Sequence, residues 1–259
     1  MAQTFSQRRH VLITGASGAL GRALALKHAA CGDQLTLHGR REEVLAEVAA
    51  ACRTQGGEVT TRAVDLLDRA ATDAWIAELR AAPPDRLIAN AGLNAHPQPN
   101  ELFEPEDASE AILEVNLRAT MQLVRGLAPG MAARGSGEIV FVSSLAAWHG
   151  LSSAPTYSAT KAAIKAYAEA LTEQLRPHGV AVTLAMPGYF DSPMGRAMPG
   201  PHPGMQTPER AAHLILRASD RRRPMVAFPQ PLAMGCRWLG FAPRWISHRI
   251  LRLLGFAPH

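Results

Sequence analysis

Lysine is scarce in this chain: Lys27, Lys161 and Lys165 are the three among 27 basic residues, and arginine supplies the rest. A lysine at a patterned position is therefore harder to assign to chance. Cysteine is scarce too. Cys31, Cys52 and Cys236 are odd in number and lack CxxC spacing, which argues against a disulfide framework and a cysteine zinc site. The ten histidines form no HExxH-type pair, so no catalytic metal is expected. No stretch reaches the roughly 18 to 20 apolar residues that span a bilayer. The N-terminus offers only Val11-Leu12-Ile13 before its glycines, too little for a secretory leader. No nucleic-acid-reading motif, internal repeat or linker is visible. These absences lead to the expectation of a cytoplasmic protein that has no nucleic-acid partner.

What is present is enough apolar mass for one substantial core. The 259 residues are 47% hydrophobic and 19% charged, too apolar for a disordered chain. The net charge of +5 is unevenly spread. From Ser192 onward ten arginines stand against two acids, Glu209 and Asp220, whereas the residues before Ser192 lean acidic.

Strand-length apolar runs alternate with helical patterns. Strands are read at His10–Thr14, Gln34–His38, Glu58–Val64, Arg86–Asn90, Glu138–Ser143 and Val180–Met186, and an edge strand within 221–229. Helices are read at Ala19–Ala30, Arg41–Gln55, Arg69–Ala81, Pro105–Arg134 with a break near Pro129, Pro155–Arg176 and Pro208–Ala218. This alternation predicts right-handed βαβ crossovers. The expected fold class is α/β: a Rossmann-like, doubly wound parallel sheet of about seven strands, with helices on both faces. Residues 1–230 are taken as the catalytic and dinucleotide-binding domain, and 231–259 as a basic, amphipathic helical extension of it. The Gly- and Pro-rich stretch Gly188–Pro208 reads as a loop and as a lid.

The first strand runs into Thr14-Gly15-Ala16-Ser17-Gly18-Ala19-Leu20-Gly21, and a helix opens behind it. Glycines let backbone approach a pyrophosphate, and a helix N-terminus offers it free N–H groups and a partial positive charge. At the tip of the second strand stand Arg40 and Arg41, with no acid before Glu42. Two guanidiniums there suit a 2′-phosphate, so NADP(H) is expected over NAD(H). Tyr157 and Lys161 are four apart on a helical pattern and share one face. An ammonium one turn from a phenol favours the phenolate and draws its pKa toward neutrality. Ser144 ends a strand at the edge where open parallel sheets bind ligands.

With these residues in place the chain resembles the short-chain dehydrogenase/reductase family, in its compact branch of about 250 residues, across roughly residues 9 to 230. The matching pieces are the glycine turn, Asp65-Leu66, Asn90-Ala91-Gly92, Asn116, Ser144, Tyr157-x-x-x-Lys161 and Pro187-Gly188. The resemblance implies Tyr157 as proton donor and base, with Lys161 lowering its pKa and binding the nicotinamide ribose. It implies Ser144 as the group that orients the substrate oxygen and Asn116 as the holder of a water leading to Lys161. Gly15, Ser17, Gly18, Leu20, Gly21, Asp65, Leu66, Asn90, Ala91, Gly92, Pro187, Gly188 and Ser192 join Arg40 and Arg41 at the cofactor. It also implies a homodimer or homotetramer built on the helices carrying Asn116 and Tyr157. One departure is that Ala19 replaces the compact branch's middle glycine. The resulting TGxxGxxG spacing is that of the extended branch and raises an NAD-linked dehydrogenase or a nucleotide-sugar epimerase as alternatives. A non-catalytic NADP-binding redox sensor is a third.

The residues expected to face substrate are Leu93, Asn94, His96, Trp148, His149, Tyr189, Phe190 and Met194. Most are apolar, which points to a hydrophobic, lipid-like carbonyl or alcohol. In the tail, Trp245, Ile246, Ile250, Leu253 and Leu254 fall on one helical side, with Arg249 and Arg252 off it. Such a helix fits peripheral contact with an anionic membrane or a hydrophobic substrate entrance, and equally fits packing on its own domain or a neighbouring subunit.

Overall fold

In the computed structural model residues 8–98 and 100–253 are described, the side chains of Arg244 and His248 aside. Seven strands alternate with helices: β1 (His10–Ile13), β2 (Gln34–His38), β3 (Glu58–Arg62), β4 (Arg86–Ala89), β5 (Gly137–Val142), β6 (Val180–Pro187) and β7 (Met225–Phe228). They form one sheet in the order β3-β2-β1-β4-β5-β6-β7, and every neighbouring pair is parallel. The helices are α1 (Ala19–Ala29), α2 (Glu42–Thr54), α3 (Arg69–Ala81), α4 (Glu106–Ile112), α5 (Thr120–Arg134), α6 (Pro155–Leu175), α7 (Pro193–Ala197), α8 (Pro208–Asp220), α9 (Gln230–Phe241) and α10 (Arg244–Leu253).

Strand side chains alternate between two apolar layers, as the period of two demands. Leu12, Leu87, Ile139, Phe141, Val182 and Leu184 face Trp75 of α3, Leu127 of α5 and Ile164 of α6. Val11, Ile13, Ile88, Val140 and Ala185 face Leu24 of α1, Leu45 of α2 and Ile215 of α8. Both faces are thus buried, and the strand C-termini share one edge.

Two expectations about helices are corrected. Pro129 does not break its helix and lies inside α5. Leu127, Ala128 and Met131 around it are buried against the sheet, and that packing overrides the lost backbone bond. The irregularity falls earlier, where Leu113–Ala119 forms a π-helical stretch between α4 and α5. In α10, Trp245 and Leu253 are exposed and Ser247 is buried, while half-buried Ile250 and Leu251 line the cavity described below. The helix starts from a turn in which Pro243 O accepts from the backbone N of Ile246 and Ser247, and it rolls the Ser247–Leu251 row inward. Ile250 therefore parts company with Trp245 and Leu253, while Leu254 lies outside the described residues. No helix among the described residues is long and apolar enough to cross a membrane.

At the opposite, N-terminal edge of the strands, buried Arg86 ties β4 to its neighbours. Its Nε lies 2.7 Å from Glu138 of β5, and its Nη2 lies 2.6 Å from Asp220 of α8. Ser219 Oγ donates to the same Glu138 carboxylate, so the buried charges are paired and hydrogen-bonded.

Candidate active site

The strand C-termini open into a cavity of about 700 Å³. One end of it is main chain. Gly15 holds φ +67°, a conformation that L side chains rarely adopt, and a Cβ there would lie 2.8 Å from Ala91 Cα. At Gly21 a Cβ would stand 2.2 Å from Gly15 O. The turn therefore closes against both β4's exit and its own helix only because these two positions lack side chains. Asn90 locks the crossing: its Nδ2 donates to Thr14 O at 3.0 Å and Gly15 O at 3.2 Å. Thr14 Oγ1 accepts from the backbone of Asn90 and Ala91. Helix α1 has no side-chain cap and no acid in its first turn. Ser17, Gly18, Leu20 and Gly21 line the cavity there, leaving an electropositive helix start suited to a pyrophosphate. Arg40 and Arg41 are exposed on the rim, with Asp65, Leu66 and Gly92 also in the wall. These residues fit a dinucleotide.

His38, at the tip of β2, also lines the cavity, although no spacing pattern marks it. Its ring stacks on Trp75 at 4.7 Å and its Nε2 lies 2.9 Å from Val64 O. Burial holds its pKa down at about 4, so it is neutral near neutral pH.

The middle of the cavity carries the polar side chains. Ser144 ends the turn after β5 and caps a 3-10 turn, its Oγ accepting from Ala146 N at 3.2 Å. Tyr157 and Lys161 rise from the first turns of α6, whose start is fixed by buried Glu104 accepting from Thr156 N at 3.0 Å. Lys161 Nζ donates to Val142 O at 2.9 Å and sits 5.4 Å from the centre of the Tyr157 ring. Burial raises the Tyr157 pKa above the ordinary phenol value, and a hydrogen bond with Ser144 offsets part of that rise. Burial also lowers Lys161 to about 8. The expected depression of the phenol by the ammonium thus does not prevail. Desolvation outweighs it, and the ammonium is directed at a backbone carbonyl.

Asn116 lies in the π-helical stretch, and its side-chain amide pairs with the main chain of Leu93. Its Oδ1 accepts from Leu93 N at 2.7 Å and its Nδ2 donates to Leu93 O at 2.9 Å. It therefore clamps the strand exit that follows Gly92. A Cβ on Gly92 would stand 3.4 Å from Asn116 Oδ1 and 3.6 Å from Lys161 Nζ, so the two groups flank the same glycine. The π register displaces this residue inward, a common device at functional sites.

The remaining end is apolar. Leu93, Asn94, His149, Tyr189, Phe190 and Met194 line it as expected, together with Pro187, Gly188 and Ser192. The segment 188–208 contains α7, capped by Ser192 Oγ, and is stitched by a bridge between Phe190 and Gln206. Asn94 Nδ2 lies 2.9 Å from Met198 Sδ, fastening this segment to the exit of β4. Two expected residues fall outside the cavity lining. Trp148 packs against the core, and a Cβ on Gly240 of α9 would stand 2.7 Å from its carbonyl oxygen. His96 turns its Nδ1 to Ser153 O at 2.8 Å. The wall is completed instead by Leu232, Cys236, Trp238 and Leu239 of α9 and by Ile250 and Leu251 of α10.

A family model described as short chain dehydrogenase matches residues 9–200. An uncharacterized oxidoreductase of Myxococcus xanthus is 32% identical over 240 residues, covering 91% of this chain and 93% of its own. A fatty acyl-CoA reductase of Acinetobacter baylyi is 31% identical over 219 residues, covering 83% of this chain and 74% of its own. Among solved structures, a short-chain dehydrogenase from Sphingobium yanoikuyae in complex with NADPH superposes with a TM-score of 0.80 at 25% identity, covering 97% of this chain and 98% of that one.

Proposed function

This chain belongs to the short-chain dehydrogenase/reductase family, whose members are NAD(P)-dependent oxidoreductases of CH–OH groups, and on that premise we propose that it is an NADP(H)-dependent reductase of hydrophobic, lipid-like carbonyl compounds. The observation that carries the reading is one continuous cavity. It runs from the glycine turn, past Ser144, Tyr157 and Lys161, to a wall of Phe190, Met194, Leu232 and Leu239. The acyl group in the name of the Acinetobacter relative points the same way.

Gly15, Ser17, Gly18, Leu20, Gly21, Asp65, Leu66, Asn90, Ala91 and Gly92 would hold the dinucleotide, with Arg40 and Arg41 on a 2′-phosphate and Pro187, Gly188 and Ser192 beside the nicotinamide. When bound, that group supplies the hydride. The chain's own part is the proton and the positioning. A phenol held protonated by burial is in the correct form to donate from Tyr157 Oη to a carbonyl oxygen that is gaining negative charge. Ser144 Oγ, hydrogen-bonded to the same phenol, orients that oxygen. Lys161 is a cation at neutral pH and loses its charge above about 8, so it stabilises the phenolate left behind and sets an alkaline limit. Asn116 holds the Gly92–Leu93 backbone against these groups and would hold a water that passes protons toward Lys161. The segment 188–208 acts as a lid over the substrate.

We infer a cytoplasmic homodimer or homotetramer through the helices carrying Asn116 and Tyr157, on which Leu113 is an exposed apolar residue. The test is NADPH oxidation by the purified chain against aliphatic, aromatic, steroid-like and long-chain ketones. Turnover should rise with apolar bulk. Tight NADPH binding with no turnover across the whole panel would leave a cofactor-binding sensor as the better account.

A further inference from the structure

Helices α9 and α10 have two contrasting sides. Their inner sides, Leu232, Cys236, Leu239, Ile250 and Leu251, line the cavity. Their outer sides are apolar where solvent-facing helices are normally polar. On α9, Met234 and Phe241 are exposed seven residues apart, Phe241 at 82%, and half-exposed Trp238, which also borders the cavity, stands between them. On α10, Trp245 and Leu253 are exposed at 71% and 81%, in one row with exposed Arg249 and Arg252. Of the large apolar side chains exposed among the described residues, these five form the group that two consecutive helices share, and nothing among the described residues covers them.

Charge selects the occupant. After Asp220 the chain contains no Asp or Glu, and Arg237 of α9 and Arg249 and Arg252 of α10 are exposed. A two-fold contact with a second copy would press this cation-only surface on itself. A surface of negative headgroups over hydrocarbon complements both halves of the pattern: arginines reach phosphate, and tryptophans settle at the interface. The ten residues of α10 are too short to cross.

We propose that the outer faces of α9 and α10 dock the protein on an anionic lipid bilayer, bringing the apolar end of the cavity to the membrane surface. A hydrophobic substrate then passes from lipid to the wall formed by the same two helices without crossing water. The docking itself does not depend on the chemistry at Tyr157, so its test is binding alone.

The full chain is sedimented with phosphatidylcholine vesicles, with and without phosphatidylglycerol. Binding is expected with phosphatidylglycerol, at least about tenfold weaker without it, and released in about 1 M salt, where screening shortens to roughly 3 Å. Two exposed double variants clear of the cavity lining, F241S/W245S and R249E/R252E, should each lower binding about tenfold or more while leaving NADPH affinity unchanged. The proposal fails if the chain ignores phosphatidylglycerol vesicles at low salt, or if neither variant changes binding. It also fails if gel filtration shows an oligomer that F241S/W245S dissociates, which would assign the surface to a second copy.

Discussion

The cofactor end of the cavity is made of main chain and the substrate end of side chains, and the two respond to change in different ways. At the first, Gly15 and Gly21 permit an approach that a single Cβ would block, and Asn90 and Thr14 lock β1 to the exit of β4. At the second, Phe190 and Met194 come from the segment that follows β6, and Leu232 and Leu239 from α9, which follows β7. Backbone geometry tolerates little variation, whereas an apolar wall is re-cut by exchanging one side chain for another. One scaffold can therefore keep its nucleotide while its substrate changes.

The strongest challenge to this division lies at the seam. Tyr157→Phe should lower kcat by roughly 10² to 10⁴ and leave the NADPH Kd unchanged by titration calorimetry. Loss of cofactor binding with it would mean the two ends are not separable. The rigidity of the cofactor end can be probed at His38, whose folded pKa of about 4 lies below the ordinary histidine value of 6.5. Between those values the unfolded chain holds a proton that the native state lacks, so stability falls as pH drops through that window. His38→Phe should shrink the loss between pH 7 and pH 4.5 by roughly 2 to 3 kcal/mol, read by urea unfolding at both values. A variant as acid-sensitive as the parent would refute the assignment.

Arg40→Asp acts on the cofactor end alone. NADPH should bind about 10- to 100-fold more weakly, NADH nearly as before, and the KM for ketone at saturating cofactor should hold. Equal losses for both nucleotides would deny Arg40 its part in phosphate recognition. The smallest effect is expected at the other end. Leu232→Ala should raise KM for long apolar ketones roughly three- to tenfold, the worth of one or two methylenes, with no change in NADPH affinity. An unaltered KM would show that α9 is not part of the substrate wall.

Features carried by local spacing were legible in the sequence. The glycine turn, the tip arginines, Tyr157 with Lys161, and Ser144 at a strand end all depend on neighbours within a few residues, and the structure gathers them in one cavity. Features set by distant packing were not. Pro129 passes through its helix because Leu127 and Met131 are buried, and Asn116 turns inward through a π register that no periodicity announces. Trp148 reads as a substrate contact by its place after Ser144, yet it packs against the core and lies outside the lining. The α10 face was misjudged because counting apolar residues ignores which row meets the domain. The phenol's pKa was misjudged because spacing conveys proximity to Lys161 but not burial.

The order of strands in the sheet has a consequence for how the chain is made. Because all neighbours are parallel, no ladder closes by a hairpin, and each waits for a helix to be synthesised between its partners. β1 stays open on one side until Arg86–Ala89 arrives, so the nucleotide groove is finished well after its glycines leave the ribosome, and the wall from α9 and α10 comes last. During that interval an unpaired hydrophobic strand edge stands bare, which makes translation, rather than the finished enzyme's lifetime, the stage most exposed to aggregation.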